Sequence, residues 1–126
     1  MYLFVYGTLR PGSSHAMSAW LSAQAAWCGE ASIPGRLYRV SYYPGLVEGE
    51  GLVRGDVYAL PEAGLAALLS TLDAFEGESG KEGDEYRRRL SAVTMSDGSQ
   101  RQAWVYWFQQ QTAGLDAVPG GDWLLV

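Results

Sequence analysis

The chain has 126 residues, 48% hydrophobic and 18% charged, enough for one domain with one core and unlike a disordered or fibrous chain. Its net charge of −5, with no basic run beyond Arg87-Arg88-Arg89, argues against a general nucleic-acid binder, whose affinity rests on many phosphate contacts. One cysteine, Cys28, excludes an internal disulfide and a cysteine-built zinc site.

Residues 2–6 (YLFVY) are β-branched and aromatic, which predicts a short central strand. The strand runs into Gly-Thr-Leu-Arg-Pro-Gly, residues 7–12. Residues 15–26 read as a short helix with Met17, Trp20 and Leu21 at helical spacing. Within it, His15 is the lone histidine available to activate Cys28, and Cys28 itself reads as a small buried hydrophobe rather than a nucleophile. Residues 33–43 form a second strand, broken by Pro44-Gly45. In GLVRGDVYAL (51–60), Val53, Val57 and Ala59 alternate with Arg54 and Asp56, and Gly55 marks a bulge or a close approach.

The strongest helix signal spans 61–76, with Pro61 suited to the first turn and Gly77 to the position just past the end. Two strands follow, 85–96 and 100–108, joined through Asp97-Gly98, a hairpin signal. AWVYWF (103–108) is apolar on both faces, as a central strand requires. The tail is mostly irregular, with Trp123 and Leu124 docking back. These elements make one α+β domain, residues 1–126, with a sheet able to curl into a small barrel. Five Trp and eight Tyr exceed what a minimal core needs, so some should line a cleft. No basic start with a long apolar run and no membrane-spanning segment is present, so a soluble, cytoplasmic protein is expected.

Two stretches carry chemistry. On a helical wheel Leu65, Leu68, Leu69, Leu72 and Phe75 share one stripe, and Glu76 falls about 20° from Leu65. It also sits at the negative end of the helix dipole, so both burial and dipole disfavour its ionised form. Either the last turn frays and Glu76 reaches water, or Glu76 is a general base at the edge of an apolar pocket. Asp73, at the stripe's edge, reads as solvated. The Gly7-Thr8 turn is either a tight strand exit or a nest of successive N–H groups for an anion, with the Thr8 hydroxyl added and Arg10 as a source of charge.

VYGTLR (5–10) followed by His15, PGRLY (34–38), YPGLVEG (43–49), GDVYAL (55–60), LDAFEG (72–77) and EYRRR (85–89) together resemble the γ-glutamylcyclotransferase-like family, in its small bacterial and γ-glutamylamine-type branch. The resemblance is ordered and covers nearly the whole chain. It implies a small mixed β-barrel with flanking helices and a cavity at one end. It also implies that Tyr6, Gly7, Thr8 and Leu9 bind the substrate's α-amino-acid group and that Glu76 is the catalytic acid/base. Tyr86 would stand near the pocket, and Arg88, on the same strand face, is equally a structural ion pair. The implied reaction releases 5-oxoproline from a γ-glutamyl amide with no metal or cofactor; the partner is a small molecule, with no nucleic acid or membrane involved. A binding protein of the same fold without turnover is the alternative. The glycine-rich acidic stretch 77–85 departs from the family's pattern and is either a flap or a surface loop.

Overall fold

The computed structural model describes residues 1–125 and the side chains of residues 1–124. Five strands close a mixed barrel. They are β1 (Tyr2–Val5), β2 (Ala26–Arg39), β3 (Pro44–Ala59), β4 (Tyr86–Met95) and β5 (Gln100–Phe108), and a two-residue strand β6 (Asp116–Ala117) borders β2. The barrel order is β3-β1-β5-β4-β2, closed by the β2–β3 pairing. β1 is antiparallel to β3 and parallel to β5, and the remaining pairings are antiparallel. Two helices, α1 (Ala16–Gln24) and α2 (Leu65–Glu76), flank it.

The alternation of apolar residues along each strand divides the core in two. Phe4, Ile33, Leu37, Val53, Val57, Val93, Ala103, Val105 and Trp107 fill the barrel interior. Leu3, Val5, Leu9, Tyr58, Tyr86, Tyr106 and Phe108 form an outer layer with Leu21 of α1 and Leu68 and Leu72 of α2. The two-faced apolar pattern of 103–108 is thereby explained. β5 lies between β1 and β4, with one face to the interior and the other to this outer layer.

The hairpin at Asp97-Gly98 forms as expected, with Gly98 at φ 86°. Gly55 is a close approach: a Cβ there would lie 2.3 Å from the Val5 carbonyl oxygen and 2.6 Å from the Phe4 ring. Backbone cannot yield to that contact, so Gly55→Ala is expected to cost about 2–3 kcal/mol, read as a lowered denaturation midpoint.

Three boundaries differ from the sequence reading. β2 begins at Ala26, not near residue 33, because apart from the exposed Trp27 its first half (AWCGEAS) carries small and polar side chains, with no buried apolar residue until Ala31. Pro44 opens β3 rather than ending a strand, since the first residue of a strand tolerates a missing N–H. The β2–β3 turn is Val40–Tyr43, where the Val40 and Ser41 N–H groups donate to the Tyr43 carbonyl. α2 begins at Leu65 because Gly64 adopts a left-handed conformation (φ 74°) that no helix interior accepts. Its far end follows the expectation. Gly77 is left-handed at φ 74° and the Glu78 N–H returns to the Asp73 carbonyl at 2.9 Å, which fixes Glu76 in the last turn.

Cys28 is exposed rather than buried, because β2 turns that position away from both core layers. In the tail, Trp123 packs against the interior cluster with the Arg39 guanidinium 4.7 Å above its ring, and Leu124 lies against Gly12 while staying 39% exposed. The 77–85 loop is strapped. Asp84 accepts from the N–H groups of Ser79, Gly80 and Lys81, Glu78 accepts the Arg88 N–H at 2.9 Å, and the Gln110 amide reaches the Gly83 and Asp84 carbonyls. Among the described residues no helix is long and apolar enough to cross a membrane.

Candidate active site

Where β1 ends, residues 4–9, the C-terminal turn of α2, the β2–β3 turn and the start of β4 enclose a cavity of ≈ 160 Å³. That is smaller than the roughly 300–1,000 Å³ of pockets for drug-sized ligands, and suits an amino-acid-sized group. Its wall includes Tyr6, Gly7, Thr8, Leu9, Glu76 and Tyr86, so all six residues singled out for function meet in one hollow.

The floor is built from the strands. Tyr6 is buried, and its hydroxyl donates to the Tyr106 carbonyl at 2.5 Å. Tyr86 is 2% exposed, donates to the Pro44 carbonyl at 2.6 Å, and sets its ring edge-on to Phe108 at 5.5 Å. Its ring therefore shapes the cavity while its hydroxyl is committed to the β3 backbone. Burial, with the Glu76 charge adding to it, pushes the Tyr6 phenol well above its ordinary value; burial likewise raises Tyr86 and Tyr106. These phenols stay neutral donors. The cleft-lining aromatics expected from composition are thus tyrosines and phenylalanines; among the described residues no tryptophan lines this cavity.

Gly7 is buried and lies so close to Pro44 that a Cβ would come within 2.7 Å of its ring. The Arg10 N–H closes the turn on the Gly7 carbonyl at 3.0 Å. Among the described residues the N–H groups of Thr8 and Leu9 and the Thr8 hydroxyl have no hydrogen-bond partner. Two adjacent unpaired N–H groups beside a hydroxyl are the makings of an anion nest. Arg10 does not contribute to it. It is 4% exposed, and its Nε and Nη1 donate to Asp56 at 2.8 Å and Asp122 at 2.7 Å. The side chain read as a source of positive charge for a ligand is a strut that ties the turn to β3 and the tail. Asp56 also accepts the Trp27 indole N–H at 2.9 Å, so the polar side of β3 is internal there.

Glu76 continues the Leu68–Leu72 row by one turn of α2 and enters the cavity half-buried. Burial first, and then the charges of Glu85 and Asp73, push its carboxyl up to about 8. Asp73 is not simply solvated. It accepts two hydrogen bonds from the Arg88 guanidinium (2.8 and 3.2 Å) and one from the Tyr106 hydroxyl (2.6 Å), which makes Arg88 a structural ion pair. The sequence reading missed Glu85. This second acid lines the cavity and accepts the Tyr43 hydroxyl at 2.5 Å. Burial and that bond raise Tyr43 to about 12. Glu85 directly precedes Tyr86, but nothing local separates it from the other acids of the 77–85 loop.

The closed barrel thus brings to one amino-acid-sized cavity a carboxylic acid with a raised pKa and a turn whose Thr8 and Leu9 N–H groups have no hydrogen-bond partner among the described residues. The family model for "Gamma-glutamyl cyclotransferase, AIG2-like" matches residues 3–125. The chain is 39% identical over 127 residues to the γ-glutamylcyclotransferase family protein YtfP of Escherichia coli K12, covering 98% of this chain and 96% of that one. The solution structure of E. coli ytfP superposes with a TM-score of 0.65 at 37% identity, over 98% of this chain and 96% of that one. A mouse AIG2-like protein shares the fold at a TM-score of 0.68 and 20% identity, over 97% and 92% of the two chains. The chain belongs to the γ-glutamylcyclotransferase, AIG2-like family.

Proposed function

We propose that this protein is a γ-glutamyl amide cyclotransferase that releases 5-oxoproline and a free amine. The observation that carries the reading is that Glu76 lines the same hollow as Thr8 and Leu9, whose N–H groups have no hydrogen-bond partner among the described residues. The substrate's α-carboxylate sits on those two N–H groups and the Thr8 hydroxyl. Its γ-glutamyl chain folds against the tyrosine floor, so that the α-nitrogen lies beside Glu76 and faces the γ-carbon.

The ionised Glu76 takes a proton from the α-ammonium. The freed nitrogen attacks the γ-carbonyl carbon and forms the ring C–N bond. As the tetrahedral intermediate collapses, Glu76 gives that proton to the departing nitrogen and the bond to the departing amine breaks; Glu76 then takes the second proton that the ring nitrogen sheds and passes it to the released amine, which leaves as an ammonium. No electron or water is consumed. Holding amine and carbonyl at near-attack distance removes several kcal/mol of barrier, and an acid matched to neutral pH serves these proton transfers. Tyrosine walls that exclude water favour ring closure over hydrolysis.

The direct test supplies a panel of γ-glutamyl amides and measures 5-oxoproline and free amine, which should appear in equal amounts. Release of glutamate instead would contradict the ring closure, and saturable binding without product would mark a binding protein. Because the free enzyme must ionise Glu76, kcat/KM should rise about tenfold per pH unit below pH 8 and level off above it. Glu85→Gln removes a negative neighbour, so the midpoint of that rise should move to lower pH. Thr8→Val should raise KM about ten- to a hundredfold with little change in kcat, as loss of one charge-assisted hydrogen bond to a carboxylate requires. Unchanged constants would remove the hydroxyl from substrate binding.

A further inference from the structure

The ring closure leaves one carboxylate in the cavity unused. Glu85 is held from two sides. Its carbonyl accepts the Gln109 N–H at 2.8 Å and one side-chain oxygen accepts the Tyr43 hydroxyl at 2.5 Å. Among the described residues its other side-chain oxygen, Oε1, accepts from no donor. The wall is graded by exposure. Tyr42 (73%) and Phe75 (37%) are open to solvent and mark the mouth, whereas Phe4, Tyr6 and Tyr86 are buried and form the floor. Glu85 and Tyr43, both half-buried, stand between them, and the Tyr42 and Tyr43 rings meet edge-on at 5.0 Å.

No lysine or arginine lines this cavity among the described residues. The neighbouring cations are engaged elsewhere: Arg10 with Asp56 and Asp122, Arg88 with Asp73, and Arg87 beside Glu78 and Asp84. A group leading from the reacting carbonyl toward solvent therefore meets a carboxylate with a vacant oxygen and the Tyr42–Tyr43 pair, with no positive charge on the cavity wall among the described residues. That is a setting for an ammonium group, which a carboxylate and aromatic faces both attract. The chain's net charge of −5 adds long-range attraction of the same sign.

We propose that Glu85 is the specificity-determining residue for the departing half of the substrate, and that the leaving amine is of the diamine class, carrying a second, cationic amine that rests on the Glu85 carboxylate beside the Tyr42–Tyr43 pair. Leaving amines that bear a carboxylate, as in γ-glutamyl peptides, are disfavoured by the same residue. The inference rests on the cyclotransferase reading of this cavity.

Three γ-glutamyl amides of matched length test it: those of butane-diamine (cationic end), pentylamine (neutral end) and aminopentanoate (anionic end). In the wild-type protein kcat/KM should fall in that order by about fivefold per step, the size of a partly exposed ion pair, and the spread should shrink as salt is added. In Glu85→Gln the three values should converge. Each ratio is taken within one protein at one pH, so any change in Glu76 ionisation cancels. Equal values in the wild type, or an unchanged order in Glu85→Gln, would overturn the proposal. Dissociation constants for the same three compounds, measured with Glu76→Gln and with the Glu76→Gln/Glu85→Gln double variant, give the same comparison without turnover. If no compound yields 5-oxoproline, the cyclotransferase reading fails, and the order of these constants still supports or overturns the role of Glu85.

Discussion

Glu76→Gln is expected to lower kcat by about 10²–10⁴-fold while the fold and substrate binding persist, because the amide fills the same space and cannot carry a proton between two nitrogens. The variant supplies its own control for folding. The Glu76 carboxyl is raised from an ordinary 4.5 to about 8 in the folded protein. The folded state therefore holds this proton more tightly than the unfolded chain does. The stability this confers is complete below pH 4.5 and is lost as pH rises through 8. Glutamine resembles the protonated acid at every pH. The variant should match the wild type at pH 4.5 and exceed it by roughly 1–3 kcal/mol at pH 9, after discounting for partial exposure. A protein that melts higher yet turns over far more slowly would show that the acid is kept for chemistry at a cost in stability.

Arg10→Met is expected to be the most destabilising of the substitutions considered, by about 3–5 kcal/mol. Arg10 and Asp56 are each 4% exposed, and removing the guanidinium leaves two carboxylates at one site with only the Trp27 indole donating to Asp56. Because the Arg10 backbone closes the turn that begins at Gly7, surviving protein should also bind substrate more weakly. The double change Arg10→Met/Asp56→Asn should cost less than the sum of the single changes, since it removes the buried charge along with its partner. Denaturant midpoints of the three variants give this coupling directly. Additive losses would show that the two side chains do not act as a pair.

What was legible in the sequence is what local chemistry decides. Gly77 past the end of α2, Asp97-Gly98 at a hairpin and Gly55 against the neighbouring strand β1 each announce a backbone requirement that few other residues satisfy. Glu76 stood out because a carboxylate at the end of an apolar row has no reason of stability to be there. What was hidden depends on partners distant along the chain. Arg10 looks like a free cation until Asp56 and Asp122, 46 and 112 residues away, are placed beside it. Asp73 looks solvated until Arg88 and Tyr106 arrive on β4 and β5. Glu85 is one of several acids in a glycine-rich loop, and only its contact with Tyr43 of the β2–β3 turn singles it out. The first half of β2 was hidden for another reason. Its inward residues begin at Ala31, so the preceding stretch pairs along β3 with no apolar rhythm to betray it.

The most direct measurement titrates 5-oxoproline into protein labelled with nitrogen-15 and carbon-13 and follows the Thr8 and Leu9 amides together with the δ-carbon of Glu76. If one cavity holds the carboxylate on the nest and the ring nitrogen beside the acid, all three signals move along a single saturation curve. A Glu76 carbon that stays still while the ligand binds, or a ligand that perturbs other residues and leaves those two amides unmoved, would contradict the account.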